Sequence, residues 1–265
     1  MLRVIHVSDL HFHRNDNDNK GALRLLERIG KSYEFSPSAR NHLMITGDVV
    51  DDGRPEQYAR AREALLPFRG YLLIVPGNHC YGKLGNFYDV RNAQFFDQEF
   101  LPSLGVRHKF IDKEPAVDVL DDGRSTKLVA IGLNSNLPTP STADAARGQV
   151  GFAQLKKLDE LLATPDYAGA IKLVYLHHRP QRCGWFLELT DSEELMAVVH
   201  NRAQVLAFGH SGGAEGAKEP PQAREMHTAP RPFGVKYLLN ANSCVETQKF
   251  YEIACEGEDV SVTLR

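Results

Sequence analysis

Short apolar runs alternate with amphipathic stretches along this chain. Leu2–His11 opens with the β-branched Val4, Ile5 and Val7 and reads as a buried strand. His42–Thr46, Tyr71–Val75, Ala170–Leu176 and Val205–Phe208 repeat the theme as near-continuous apolar runs, the pattern of parallel strands covered on both faces. Helical spacing lies between them. Gly21–Lys31 carries Leu23, Leu26 and Ile29, and Pro55–Phe68 carries Ala59, Ala64 and Leu65 with Pro55 in the first turn. Phe152–Leu162 places Phe152, Leu155, Leu158, Leu161 and Leu162 on one face. Asp191–His200 begins with Asp191 as N-cap and Glu194 as its capping-box partner.

The remaining segments fill in the order. Val117–Leu120 and Lys127–Leu133, joined by Asp121–Arg124, read as a hairpin, and Val235–Asn240, Lys249–Ala254 and Val260–Leu264 as closing strands. His13–Lys20, rich in Asn and Asp, is a loop. Aromatic-rich Cys80–Leu104 reads as a loop followed by a helix, either capping a cleft or packing as ordinary core. Gly212–Pro232 is long and Pro/Gly-rich, the composition of a mobile surface loop. No internal repeat or linker composition divides the chain, so 1–265 is expected to be a single α/β domain with 212–232 as that loop.

The strand ends change the picture. In extended chain, alternate residues share a side, so Asp9 and His11 are expected to project together from the end of the first strand. Successive strands then end in Gly47-Asp48, Gly77-Asn78-His79, His177 and Gly209-His210. Ligands bind at the carboxyl ends of strands in open α/β sheets. One buried His alone reads as a hydrogen-bonded core residue. Five strand ends in succession, each carrying carboxylate, imidazole or amide, read instead as one metal site. The donor set suits two divalent ions about 3.5–4 Å apart, with Asp48 bridging them. Such ions polarise a phosphoryl group and generate hydroxide from water near neutral pH, and a neighbouring His can protonate the leaving oxygen.

Composition narrows the function without choosing it. Of the 265 residues, 42% are hydrophobic and 25% charged, an ordinary globular balance. A net charge of -3 offers no basic stripe for nonspecific nucleic-acid binding. Cys80, Cys183, Cys244 and Cys255 form no Cys-x-x-Cys pair. With no signal-peptide pattern and no apolar run of about 20 residues, a soluble cytoplasmic protein with reduced thiols and no membrane partner is expected.

The ordered set Asp9-x-His11, Gly47-Asp48-x-x-Asp51, Gly77-Asn78-His79, His177 and Gly209-His210 resembles the calcineurin-like metallophosphoesterases, over nearly the whole chain. The resemblance implies a four-layered α/β/β/α sandwich. It implies Asp9 and His11 on a first metal, Asp48 bridging, and Asn78, His177 and His210 on a second. His79 would then be the proton donor and Asp51 its orienting carboxylate. Two divalent ions are implied, manganese foremost, with iron or zinc as alternatives. The implied activity is hydrolysis of a phosphate ester, a diester in preference, with a nucleotide among the candidate substrates.

Three positions depart from the family pattern. Gly212 stands where a further His would bind the first metal, so that ion keeps fewer protein ligands; His227 is either a surface His or a residue reaching back to it. Cys80 follows His79 where an acidic residue is common, and packing is the expected role. Arg179 replaces a Pro and either clamps phosphate or is a solvated surface residue. His178 reads as an outer partner of the site or as a packing residue, and Asn134 and His13 as candidate lining. A nuclease of the same family, or a non-catalytic scaffold with a degraded first metal site, are the alternatives.

Overall fold

The computed structural model describes residues 1–83, 87–136, 147–180, 189–210, 222–225, 234–241 and 244–265. Cys183, Gly212, His227 and most of the 212–232 stretch lie outside the described residues.

The strands, in chain order, are β1 (Leu2–Val7), β2 (Asn41–Thr46), β3 (Leu72–Val75), β4 (Gly82–Lys83), β5 (Phe87–Tyr88), β6 (Ala116–Asp121), β7 (Lys127–Gly132), β8 (Ile171–Tyr175), β9 (Val205–Phe208), β10 (Gln222–Glu225), β11 (Tyr237–Asn240), β12 (Tyr251–Glu256) and β13 (Asp259–Leu264). They form a five-stranded sheet ordered β13-β12-β1-β2-β3, a six-stranded sheet ordered β10-β11-β9-β8-β7-β6 and the small β4-β5 ribbon. β1, β2 and β3 run parallel, as do β7, β8, β9 and β11. β12 and β13 on one side of the first sheet, and β10 and β6 at the two edges of the second, pair antiparallel.

Strand alternation builds the layers. On β7, Leu128 and Ala130 join the core shared with the first sheet, while Val129 and Ile131 join a second core. On β8 and β9, Leu173, Val205 and Ala207 face the first sheet; Val174, Leu206 and Phe208 face away. Helices Lys20–Ser32 and Pro55–Leu65 cover the first sheet, and helices Phe152–Ala163 and Ser192–Val199 cover the second. Two sheets flanked by helices, as expected, put two sets of parallel-strand ends within reach of one another.

Several predicted faces are corrected. Helix Lys20–Ser32 buries Ala22, Leu25, Leu26 and Ile29 and leaves Leu23 exposed. Helix Pro55–Leu65 buries Gln57, Tyr58, Ala61 and Leu65, with Ala59 exposed; it ends before Pro67, and Leu66–Phe68 tighten into a 3-10 turn. Phe152, at the first turn of its helix, is 83% exposed. In each case docking on the sheet selects the row beside the apolar residue that the spacing marks. Asp191 precedes its helix but does not cap it through its side chain. Its carboxylate accepts from the N–H groups of Val150 (3.1 Å) and Gly151 (2.7 Å), just ahead of the neighbouring helix. Within the expected 212–232 loop, β10 pairs with β11; a polar edge strand gives no alternating apolar signal.

Candidate metal centre

The site begins where β1 and β2 stop. β1 ends at Val7, so Asp9 and His11 are not presented by strand alternation as expected. Both, with Asp48 and His210, adopt left-handed backbone: φ is 55° at Asp9, 43° at His11, 46° at Asp48 and 66° at His210. Such conformations cost roughly 1–3 kcal/mol each for non-glycine residues, and they gather at functional sites. Here they turn the chain so that the segments after β1 and β2 zip together. Asp9 N–H donates to Gly47 O, His11 N–H to Asp48 O, Phe12 N–H to Val49 O and Asp51 N–H to Phe12 O.

Glycines at the next strand ends make room for the carboxylates. A Cβ on Gly77 would lie 2.2 Å from Asp48 Oδ1, and one on Gly209 would lie 1.8 Å from Ser8 Oγ and 2.7 Å from Asp9 Oδ2. Asp48 Oδ1 accepts from the His79 N–H (2.9 Å) and Asp9 Oδ2 from the His210 N–H (3.2 Å).

The inner half of the cluster is buried. His177 Nδ1–H donates to the Thr46 carbonyl (2.7 Å), a group that only accepts, and this leaves Nε2 as the free ring nitrogen. That nitrogen lies 3.1 Å from Asp48 Oδ2, 3.0 Å from Asn78 Oδ1 and 3.1 Å from His210 Nδ1. Asp48 Oδ2, Asn78 Oδ1 and the two ring nitrogens converge there, His210 Nδ1 as donor or acceptor according to its tautomer, and a cation could take their electron pairs in place of a proton. His210 Nε2 is buried with no hydrogen-bond partner among the described residues. Burial, reinforced by the charge of His177, pushes His210 down to about 3, so its imidazole stays neutral, the form a metal needs. Burial opposes protonation of His177, but the Asp48 carboxylate outweighs it and raises its pKa. Burial likewise opposes ionisation of Asp48, and the charges of His177 and His79 outweigh it, holding Asp48 well below the usual range.

The outer half opens toward solvent. His11 Nε2 is 3.8 Å from both Asp9 Oδ1 and Asp48 Oδ2, and its Nδ1 is 3.4 Å from Asp51 Oδ1. Burial alone would lower His11, yet Asp51 and Asp9 raise it well above its ordinary value. Burial would raise Asp9, but pairing with His11 and the charge of His177 bring it down to about 2. His79 Nδ1–H donates to the backbone carbonyl of Asp51 at 2.7 Å, while the Asp51 carboxylate stands 3.7 Å away. The carboxylate is shared, since His13 Nδ1 approaches its other oxygen at 3.4 Å. Asp51 therefore touches a candidate ligand, His11, as well as the candidate proton donor.

The donor atoms fit divalent ions. Asp9, His11 and Asp48 form one group close enough to hold a metal, and Asp48, His177 and His210 form another, with Asp48 common to both. His178 stands behind them: its Nδ1 lies 2.8 Å from Ser135 Oγ and its ring 4.6 Å from that of His210. Arg179 follows, half-buried, with its carbonyl accepting from Leu189 N–H. Asn134 does not line the site: its Nδ2–H donates to Phe110 O, and its N–H and carbonyl pair with Gln154. Cys80 is buried in the core, where burial pushes its thiol up to about 12. Thr46 and Ser135 were missed; their only signal was a small polar residue beside a strand-end motif.

Comparison with known proteins follows the same lines. A family profile described as calcineurin-like phosphoesterase matches residues 2–213. A cAMP/cGMP dual specificity phosphodiesterase of Mycobacterium tuberculosis is 27% identical over 183 residues, 67% of this chain and 49% of that protein. A glycerophosphodiester phosphodiesterase of Enterobacter lignolyticus is 35% identical over 85 residues, 29% of each chain. The matched segments thus span about half of the first relative and under a third of the second. Among solved structures, a dimetal phosphatase from Danio rerio shares the fold at 16% identity and TM-score 0.56, covering 99% of this chain and 98% of that one. Among the described residues no helix is long and apolar enough to cross a membrane.

Proposed function

For a chain that belongs to the calcineurin-like phosphoesterase family, we propose metal-dependent hydrolysis of phosphodiesters, small nucleotides among them, in preference to monoesters. The observation that carries this reading is the position of Asp48. One of its carboxylate oxygens stands between His11 Nε2 (3.8 Å) and His177 Nε2 (3.1 Å), each belonging to its own group of donors. Asp9, His11 and Asp48 would hold one ion, and Asp48, Asn78, His177 and His210 the other. Two divalent ions supply Lewis acidity toward a phosphoryl oxygen and acidify water.

The side chains do the rest. Asp9 and Asp48 are kept ionised and His210 neutral by the surroundings described above, so these three donors meet a cation in the form it needs, while His11 and His177 each give up a proton as it enters. His79, with Nδ1–H committed to the Asp51 carbonyl, keeps Nε2 to carry a transferable proton to the leaving oxygen. Asp51 steadies both His11 and His79. Arg179 borders the substrate, its guanidinium a partner for phosphate oxygens, whereas His178, 1% exposed and bonded to Ser135, stays behind the floor and does not reach it. The names of the phosphodiesterase relatives favour diesters and cyclic nucleotides.

Chelator-stripped protein assayed on a chromogenic phosphodiester, then again after adding Mn²⁺, tests the reading. Turnover restored by metal in the wild type and lost in His79→Ala is expected. Folded protein that stays inactive with Mn²⁺, Fe²⁺ and Zn²⁺ on diesters, cyclic nucleotides and monoesters would overturn it in favour of the scaffold that the Gly212 replacement suggests.

A further inference from the structure

The turn that carries Asn78 and His79 does not set its own shape. Gly77 is required at its start, because a Cβ there would lie 2.2 Å from Asp48 Oδ1 and 2.4 Å from the Asp48 nitrogen. A residue without a side chain restrains its backbone least. Past Gly77 the turn leans on the site itself. The His79 N–H donates to Asp48 Oδ1, its Nδ1–H to the Asp51 carbonyl, and Asn78 Oδ1 meets His177 Nε2. Each of those partners is a candidate metal ligand or stands beside one, so a point fixed independently of the ions must lie elsewhere.

The second sheet supplies such a point. Asn136, just past the end of β7, is 7% exposed, and its Nδ2–H donates to the Pro76 carbonyl at 2.9 Å. That carbonyl and the Gly77 N–H are the two ends of one rigid peptide plane, so holding the oxygen fixes the plane from which the turn starts. Asn136 is itself held. Its N–H donates to Asn134 Oδ1 at 2.9 Å, and Asn134 is pinned by Phe110 and Gln154. Its side chain bonds to no candidate ligand among the described residues. The contact is the counterpart of His177 on the Thr46 carbonyl: in both, a second-sheet side chain grips a backbone carbonyl where a first-sheet strand ends.

We propose that Asn136 is a positioning residue for the reaction: through the Pro76 carbonyl it orients the turn that aims His79 at the leaving oxygen and Asn78 at the second group of donors. This rests on the reading of His79 as proton donor given above. A general acid works only within hydrogen-bond reach of its target, and a misplacement of about 1 Å that originates away from the chemistry can cost about a hundredfold.

Asn136→Leu keeps most of the side-chain volume and removes the donor; Asn136→Ala serves where the larger side chain does not fit. In either, kcat for a diester with an alkyl leaving group, which needs a proton, should fall about tenfold to a hundredfold, and kcat for a nitrophenyl leaving group, which departs without one, much less. In the His79→Ala background the same substitution should cost little more, since the two residues act through one step. The aim of His79 is also read without turnover. Long-range proton–nitrogen correlation of zinc-loaded protein, with signals assigned by their loss in His79→Ala and His177→Ala, should show the His79 ring nitrogens shifted in the Asn136 variant and those of His177 in place. Equal losses on the two esters, a full further loss in the His79→Ala background, unmoved His79 signals, or His79 and His177 shifting together as a merely structural role predicts, would each overturn the proposal. Wild-type protein inactive on every ester would instead defeat the function proposed above, and the nitrogen signals would still decide whether Asn136 aims His79.

Discussion

His177 and His210 at the floor of the centre, and His11 and His79 at its mouth, are histidines of one cluster in two environments. The floor residues come from the ends of β8 and β9, are buried, and sit among fixed partners: the Thr46 carbonyl, Asn78 Oδ1 and one another. The mouth residues follow β1 and β3 and share the half-buried Asp51. At the floor, burial decides for His210, which is held neutral at about 3. At the mouth, carboxylates decide for His11, which is held protonated until something replaces the proton. His210 is thus a preset neutral donor, whereas His11 and His177, each beside a carboxylate, carry a proton that an ion must replace. A hydrolytic centre needs both kinds, one to fix an ion and the other to move protons.

Asp48 belongs to both regions, so its loss should be the most damaging. Asp48→Ala should cost both ions and about 10⁴-fold in kcat/KM, on the order of 5 kcal/mol, with metal content and turnover measured on the same sample. Retention of two ions would show that the regions do not share a ligand. His79→Ala should separate the mouth from the floor: kcat should fall about 10³-fold, typical for loss of a general acid, with metal content unchanged. A fall in bound metal instead would place His79 among the ligands.

Metal affinity should also depend on pH, through His11 at the mouth and His177 at the floor. In the metal-free protein His11 is raised above 6.5 and His177 is raised as well, so each must lose a proton when an ion enters. Affinity should therefore climb with pH by about tenfold per unit for each displaced proton and level off above their raised values. Stability of the metal-free fold should run the other way. The gain from protonated His11 is complete below 6.5 and fades as pH rises through the raised value, while the gain from ionised Asp9 is present above 3.8 and is lost only as pH falls toward about 2. Calorimetry of stripped and loaded protein across this range would show the two trends crossing; parallel trends would count against the protonated mouth. The smallest effect is expected behind the floor. Ser135→Ala removes the partner of His178 Nδ1 and should weaken metal binding by about tenfold, the low end for an outer partner. An unchanged affinity would reduce His178 to packing.

Much of this was legible in the residues. The parallel strands announced themselves as apolar runs, and their ends as the order Asp9, His11, Asp48, Asn78, His79, His177 and His210. What was not legible depended on contacts distant in sequence. Thr46 holds His177 across 131 positions, and Ser135 holds His178 across 43. Asp191 looked like an N-cap from local spacing, but its carboxylate is taken by Val150 and Gly151, about 40 positions away. Leu23, Ala59 and Phe152 misled because a stripe read from one helix does not say which row the sheet will accept. The strand reading extends to Asp9 and His11 because the enrichment of Asp and His in left-handed backbone is too weak to mark a turn by identity alone.

The bond from the His210 N–H to Asp9 spans 201 positions. During synthesis, Asp9 and His11 therefore leave the ribosome long before the backbone that completes their surroundings exists. Closing so long a loop is slow, and it must precede any reward from the contacts it makes. A nascent chain stalled before residue 210 would hold at most the Asp9–His11–Asp48 group, so completion of the second group belongs to the final stage of folding and reports that the last parallel strands have docked.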